Sequence, residues 1–294
     1  MTAHTTWLRG GDEPRWGHPD GIQIGLHPLS GPRGLLRVYA PYLDHPRDRL
    51  INFIAVEPIP VGATERGYSE LEHSALDDVQ GKRMWAIEPH GETTRVDGVE
   101  RLHVDVGVER FDNGADVRVR VGFRADRPHE LSVAAFRNAG SLDLEACVLS
   151  ATMGNFARLR MLHVRDGVVT PAELWPDLAG AGFSDHARFG LDRLPRDEAG
   201  GVVVSATPDE TDPWSAEYAA STAEHWKYLG KRATQTWRAS DPDPRIEARV
   251  NGRRAYWASE SPIPGGTAYE NFELVEPFRD GRTFVFGVEP IVES

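Results

Sequence analysis

The sequence predicts an all-β fold, a large antiparallel β-sandwich with few short helices. Three observations carry this. Short runs rich in Val, Ile, Leu and aromatic residues recur, separated by turn signals about every ten residues. Asp97-Gly98, Asp112-Asn113-Gly114, Asp166-Gly167, Asn251-Gly252 and Asp280-Gly281 supply tight turns, because these residues tolerate positive φ. Almost no stretch shows helical spacing. No linker or shift of composition divides the chain, so residues 1–294 read as one domain, with 1–19 as an N-terminal arm.

The arm looks irregular, with Gly10-Gly11 and Pro14, and Trp7 and Trp16 are expected to pack it onto the body. Strands are expected at 22–26, 35–41 and 50–57; the last is almost wholly apolar, as a strand covered on both faces would be. A strand at 82–88 follows, then a meander with strands at 93–96, 101–109, 115–123 and 130–135. Further strands are expected at 142–150, 156–164, 201–206, 234–238, 245–250 and 254–258, the last two as a hairpin around Asn251-Gly252. Residues 171–178 and 215–221 are the helical candidates. The C-terminal residues 265–290 read as two strands joined at Asp280-Gly281. Four apolar stretches leave through Glu-Pro, at Glu57-Pro58, Glu88-Pro89, Glu276-Pro277 and Glu289-Pro290. Proline lacks an amide hydrogen, so each pair is expected to close a strand. The count is about sixteen strands, in keeping with a sandwich or closed sheet pair.

The net charge of −12 argues against a nucleic-acid partner, which requires a basic face. No run approaches the ~20 apolar residues of a membrane span, and the N-terminus has no signal-like apolar stretch, so a cytoplasmic protein without membrane partner is expected. Positive charge is nearly all arginine; Lys82, Lys227 and Lys231 are the lysines. Arginine gives planar, bidentate recognition of anions. Cys147, the sole cysteine, lies in an apolar strand and reads as a small buried hydrophobe. No Cys/His zinc pattern, Gly-x-Gly-x-x-Gly, Walker loop or Gly-x-Ser-x-Gly elbow occurs, so no cofactor or metal is expected. Asp241-Pro242-Asp243 reads as a rigid loop rather than a calcium site.

Four clusters could carry chemistry. The first is Arg66, Tyr68, Glu70, Glu72 and His73, with Arg83 and Trp85 on the next strand. Flat aromatic faces stack on sugars, arginine reads a carboxylate, and a tyrosine beside arginine can act as a base. A solvated, salt-bridged strand is the plain reading of the same residues. The second is Asn155, Arg158, Arg160 and His163; on a strand the two arginines share one face and need anionic partners. His163 reads as a core histidine. The third is His225, Trp226, Lys227 and Tyr228, a sugar platform with a proton donor, or a packed strand. The fourth is Glu270 with Glu273. These lie on opposite faces of a strand, so at most one is a catalytic base. Glu270 shares its face with Phe272 and Leu274, where desolvation suits acid–base work, and is preferred; Glu273 is assigned to substrate binding.

The number of strands and the C-terminal segment, a glutamate-bearing strand, a turn, and a last strand with Gly281, Phe284 and Phe286 spaced Gly-x-x-Phe-x-Phe, resemble the galactose mutarotase-like β-supersandwich. The resemblance implies a sugar substrate, with Glu270 or Glu273 as counterpart of the family's base. The chain lacks the Asn-His-x-Tyr-Phe-Asn segment of true mutarotases. That points towards the polysaccharide lyases and glycoside hydrolases sharing the fold. The expected function is cleavage of a glycosidic linkage in an oligosaccharide by acid–base proton transfer, as lyase or hydrolase. A mutarotase or epimerase and a non-catalytic carbohydrate-binding protein are the alternatives. Catalysis is assigned to Glu270, His225, Tyr68 and Glu70, and substrate binding to Arg66, Arg83, Trp85, Arg158, Arg160, Trp226 and Glu273. The oligomeric state is left open, a homo-oligomer included.

Overall fold

Strands dominate the regular secondary structure, and the pairings among the described strands are antiparallel. The structure, a computed structural model, describes residues 7–26, 35–46, 50–67 and 84–292. The chain opens with β1 (Leu8–Arg9), β2 (Arg15–Gly17), β3 (Gln23–Gly25), β4 (Leu35–Tyr39) and the long β5 (Leu50–Pro60). The meander comprises β6 (Met84–Ala86), β7 (Glu92–Val96), β8 (Val99–Val108), β9 (Val117–Arg124) and β10 (Arg127–Arg137). Then come β11 (Leu144–Thr152), β12 (Leu159–Val164), β13 (Gly167–Val169) and helix α1 (Pro171–Leu174). The remainder is β14 (Ala187–Gly190), β15 (Val202–Pro208), β16 (Ala233–Ala239), β17 (Glu247–Arg253), β18 (Ala268–Val275) and β19 (Thr283–Pro290). The strands form two sheets, of nine and ten, which is the all-β sandwich class expected from the turn spacing.

The chain groups into two compact units. The first comprises Met1–Ala40, Phe53–Leu149 and Pro277–Phe286. Its strands run β1-β2-β3-β4-β5-β11 in one sheet and β19-β10-β9-β8-β6 in the other, with β7 also on β8. Alternation builds its core: Val117, Val119, Val121 and Phe123 of β9 are buried, while Arg118 and Arg120 between them reach the other face. Trp16 is buried as the aromatic pattern foretold, and its indole N–H donates to Pro89 O at 3.1 Å.

The second unit comprises Pro41–Asn52, Ser150–Glu276 and Gly287–Ser294. Its sheets run β11-β18-β17-β14 and β13-β12-β15-β16-β19. One face of β14, β17 and β18 is apolar, with Phe189, Ala248, Val250, Phe272 and Leu274 all buried. Trp237 of β16 packs against that face and donates its indole N–H to Phe272 O at 2.9 Å. Helix α1 is one capped turn, with Thr170 and Glu173 bonding each other's backbone and Pro171 at its start. Among the described residues no helix is long and apolar enough to cross a membrane.

Several local expectations are corrected. The last two strands are not a hairpin: β18 lies in the nine-stranded sheet and β19 in the ten-stranded one. The connecting backbone is spent elsewhere, with Phe278 N on Glu145 O and Gly281 N on Ala135 O, while Asp280 Oδ1 accepts from Arg137 N. Asn251-Gly252 is not a turn either. β17 continues through it with a register shift against β18 between Val250 and Gly252, which is a β-bulge. Glu57-Pro58 does not end β5, which runs on to Pro60. Arg158 is not on a strand; it closes a turn with φ 52°, after Met153 at φ 66°. The buried face of β12 carries Arg160, Leu162 and Val164, and His163 lies on the half-exposed face, bonded to Thr207 Oγ1 at 2.9 Å. Cys147 is half-buried, and desolvation, with the Glu57 charge second, pushes its thiol up to about 12.

Burial also lowers the pKa of His18, His103 and His163, so the fold holds each neutral. Unfolded histidine protonates near ~6.5, so below that pH the unfolded chain binds the extra protons. Stability is therefore expected to be complete above about pH 6.5 and to fall as the pH drops through that value towards the lowered folded pKa values. Urea midpoints at a series of pH values check this, and replacing His18 by Gln should flatten the slope.

Candidate functional site

β18 is buried along its whole length, yet its sequence alternates between two kinds of face. Ala268, Glu270, Phe272 and Leu274 form one face; Phe272 and Leu274 lie with the apolar core. Tyr269, Asn271, Glu273 and Val275 form the other. Register extends this second face across the sheet, because directly opposed residues share a face. Arg188 of β14 opposes Arg249 of β17, Arg249 opposes Glu273 of β18, and Glu273 opposes Ser150 of β11. One polar row thus crosses four strands.

Glu273 is fully buried, and its Oε1 faces Nε2 of His186 at 3.5 Å. His186 immediately precedes β14, which puts it on the same face as Arg188 two residues on. Its side chain is 27% exposed, while its Nε2 is buried and makes no hydrogen bond within the described chain, even to the nearby Glu273 carboxylate. A buried carboxylate close behind a partly exposed imidazole orients it as a base when the contact tightens to a hydrogen bond in the substrate complex. Ser150 and Asn271 are nearly inaccessible, yet Ser150 Oγ and Asn271 Oδ1 make no hydrogen bond within the described chain. Such buried groups are rare unless a ligand or ordered water serves them. The bulge in β17 turns Asn251 inwards, where its Oδ1 accepts from Asn271 N at 3.0 Å. Arg249 is engaged by Glu247 at 3.0 Å, whereas Arg188 is exposed and has no acidic partner among the described residues. At the Gly190–Glu247 end an open groove of ≈ 570 Å³ is also lined by Arg165, Asp192, Arg196 and Arg245.

The second and third sequence clusters do meet, and they form a buried strut. The Arg158 guanidinium has no exposure; it grips Glu210 through two bonds of 2.6 and 2.7 Å and donates to the Tyr218 hydroxyl. Tyr218 Oη accepts from Tyr228 N at 2.9 Å. Burial raises the Tyr218 pKa, with Arg158 opposing, so this tyrosine keeps its proton. Trp226 does not offer a free face for a sugar: it is buried and stacks on Tyr256 with centroids 5.2 Å apart and planes 11° off parallel. His225 beside it is exposed. Arg160 donates to Thr267 O, Asp209 Oδ1, Pro264 O and Gly266 O, and so clamps the loop that feeds β18. Both arginines found their partners in the protein itself. Asn155 is the exception in this region, buried with neither amide atom bonded within the described chain.

Glu270 and Glu273 do lie on opposite faces. Glu270 is 2% exposed on the core side, and its backbone carbonyl accepts from Gly154 N. In the first unit Arg66 donates to the buried Glu57 at 2.6 Å, and Trp85 is half exposed on β6. Tyr68, Glu70, Glu72, His73 and Arg83 lie outside the described residues. The reading of single segments missed His186, Arg188, Ser150, Arg249 and Glu210. His186-Ala187-Arg188 follows a loop in a region that looked irregular, so the alternation that aims both side chains the same way went unread. No protein-family model, curated protein or solved structure matches the chain. Among the described residues no group of three or more His, Cys, Asp or Glu is arranged to hold a metal.

The Arg158 strut yields a stability prediction. Glu210→Ala leaves a wholly buried guanidinium without its carboxylate and should cost about 3–5 kcal/mol in denaturant unfolding. Glu210→Gln, which keeps a hydrogen-bond acceptor, should cost less.

Proposed function

We propose that this chain is a carbohydrate-active enzyme that cleaves a uronate-containing oligosaccharide by β-elimination. The observation that carries the reading is the buried Glu273 behind the partly exposed His186, with the unpaired Arg188 two residues along the same face. Elimination needs a base and a cation. The cation neutralises the uronate carboxylate and so acidifies the neighbouring C–H. Arg188 supplies the cation, and Arg165, Arg196 and Arg245 in the adjoining groove suit further acidic residues of the substrate. His186 takes the proton from the carbon α to the carboxylate. The electron pair left behind forms the carbon–carbon double bond as the bond from the β carbon to the glycosidic oxygen breaks. The imidazolium returns its proton to that oxygen, which becomes a free hydroxyl. Glu273 fixes the imidazole and stabilises its charged form in between. Ser150 Oγ and Asn271 Oδ1, buried behind this row, are groups that an ordered water would link to a sugar hydroxyl. Hydrolysis would require a second free carboxylate across the bond, and Glu247, on the same face, is held by Arg249.

Purified protein incubated with uronate-containing and neutral oligosaccharides is expected to produce unsaturated-uronate absorbance and new reducing ends together. His186→Gln should lower the rate by about 10²- to 10⁴-fold while substrate binding persists. Arg188→Met should weaken both binding and rate on uronates. Reducing ends without the absorbance would overturn elimination in favour of hydrolysis. Binding without turnover would make the chain a lectin-like protein.

A further inference from the structure

The first unit carries a second surface of the same chemistry. Register places Trp85 of β6 opposite Gly107 of β8, Gly107 opposite Arg118 of β9, and Arg118 opposite Phe136 of β10, all on one face. Trp85 does not stand up from the sheet. A Cβ placed on Gly107 would lie 2.5 Å from Cε2 and Cζ2 of the indole, so the ring lies flat on the glycine backbone. Its other side faces solvent; the residue is 49% exposed, and its N–H makes no hydrogen bond within the described chain. The ring thus lies over β8, and the next strand along the row, β9, is about 5 Å further by strand spacing. On β9 stands Arg118, whose guanidinium lies 4.5 Å from the centre of the Phe136 ring on β10. Arg118 makes no ion pair among the described residues, although its charge, after the Arg120 hydrogen bond, helps to hold the nearby Asp105 carboxyl below its usual range. Its neighbour Arg120 differs, being neutralised by two bonds to Asp105 at 2.8 and 2.7 Å.

We infer that this ledge is a binding site, separate from the His186 face, for one uronate residue of a saccharide chain. An indole presented flat takes the apolar face of a pyranose, and it is held so before any ligand arrives because Gly107 leaves room beneath it. The Phe136 ring holds the Arg118 fork by cation–π contact. A pyranose on Trp85 therefore brings its ring carboxylate to a planar, unspent guanidinium, the geometry of a bidentate pair. A neutral sugar would gain the stacking alone. The choice of an acidic sugar over an acidic peptide rests on the ring: a peptide carboxylate uses Arg118 but leaves the indole face uncovered. The ledge shares its ligand class with the proposed elimination, but it is tested by binding and not by turnover.

The experiment is calorimetric titration of the full chain with a galacturonate trisaccharide, its neutral galactose counterpart and a polyglutamate peptide. It uses R188M, which removes acidic recognition beside His186, as the background for W85A and R118M, and H186Q as a marker of the His186 site. The acidic sugar is expected to bind in preference to the other two. W85A should weaken that binding about tenfold or more. R118M should keep the residual affinity for the neutral sugar and abolish the preference for the acidic one. H186Q should leave this binding event unchanged, even if it removes turnover. Unaltered affinity in W85A, equal affinity for acidic and neutral sugars, or preference for the peptide would each overturn the assignment. Circular dichroism of W85A and R118M separates lost binding from lost fold. If the ledge binds and no elimination is detected, the catalytic reading fails alone; if elimination occurs and W85A binds as before, the ledge fails alone.

Discussion

The second unit depends on one constraint: β18 is buried from Ala268 to Val275 although three of its eight side chains are Glu270, Asn271 and Glu273. A central strand stripped of water on both faces ordinarily carries apolar residues. Polar groups placed there need partners, and much of the surrounding structure supplies them. Arg160 clamps the loop that leads into the strand through four acceptors, three of them backbone carbonyls. The bulge in β17 exists where Asn251 must turn to receive Asn271 N. His186 is brought up to Glu273 by the short β14 at the edge of the same four strands. What is left over, the unbonded Ser150 Oγ and Asn271 Oδ1, marks where the protein's own chemistry runs out and a ligand's could begin.

The arginines separate into two kinds on the same physical ground. A guanidinium has five donors and a charge that burial will not tolerate alone. Arg158 and Arg160 are buried and fully engaged, so they hold loops in place. Arg66 and Arg120 each face one of the protein's own carboxylates. Arg188 and Arg118 stand apart, one exposed and one half-exposed, and neither forms an ion pair among the described residues, Asp105 being committed to Arg120. That distinction, rather than the abundance of arginine, is what points to an anionic ligand. A net charge of −12 would repel such a ligand at long range, so recognition falls to these local, uncompensated groups.

The turns and alternating strands of the meander were legible because each depends on neighbours in sequence. Val117 to Phe123 alternates cleanly, and Asp97-Gly98 turns the chain with Asp97 at φ 50° and Gly98 at φ 79°. The opposite faces of Glu270 and Glu273 followed from strand geometry in the same way. The terminal hairpin failed for the reason that a Gly-containing turn reports only a change of direction. Which sheet the next strand joins is decided by the hydrogen bonds of Phe278 and Gly281 to distant backbone. Asn251-Gly252 failed similarly, since a bulge and a turn call for the same residues until the partner strand is known.

The sequence by itself determined the all-β class, the packing of Trp7 and Trp16, the helical turn beginning at Pro171 and the sidedness of the β18 glutamates. These rest on periodicity, turn chemistry and side-chain volume, all of them local. Only the tertiary structure decided that Arg158 meets Glu210 rather than a ligand, that Trp226 is covered while Trp85 lies open, and that His186 stands before Glu273. Those outcomes depend on register between strands remote in the chain. A shift of one residue in register would send Glu273 of β18 and Trp85 of β6 to the opposite face.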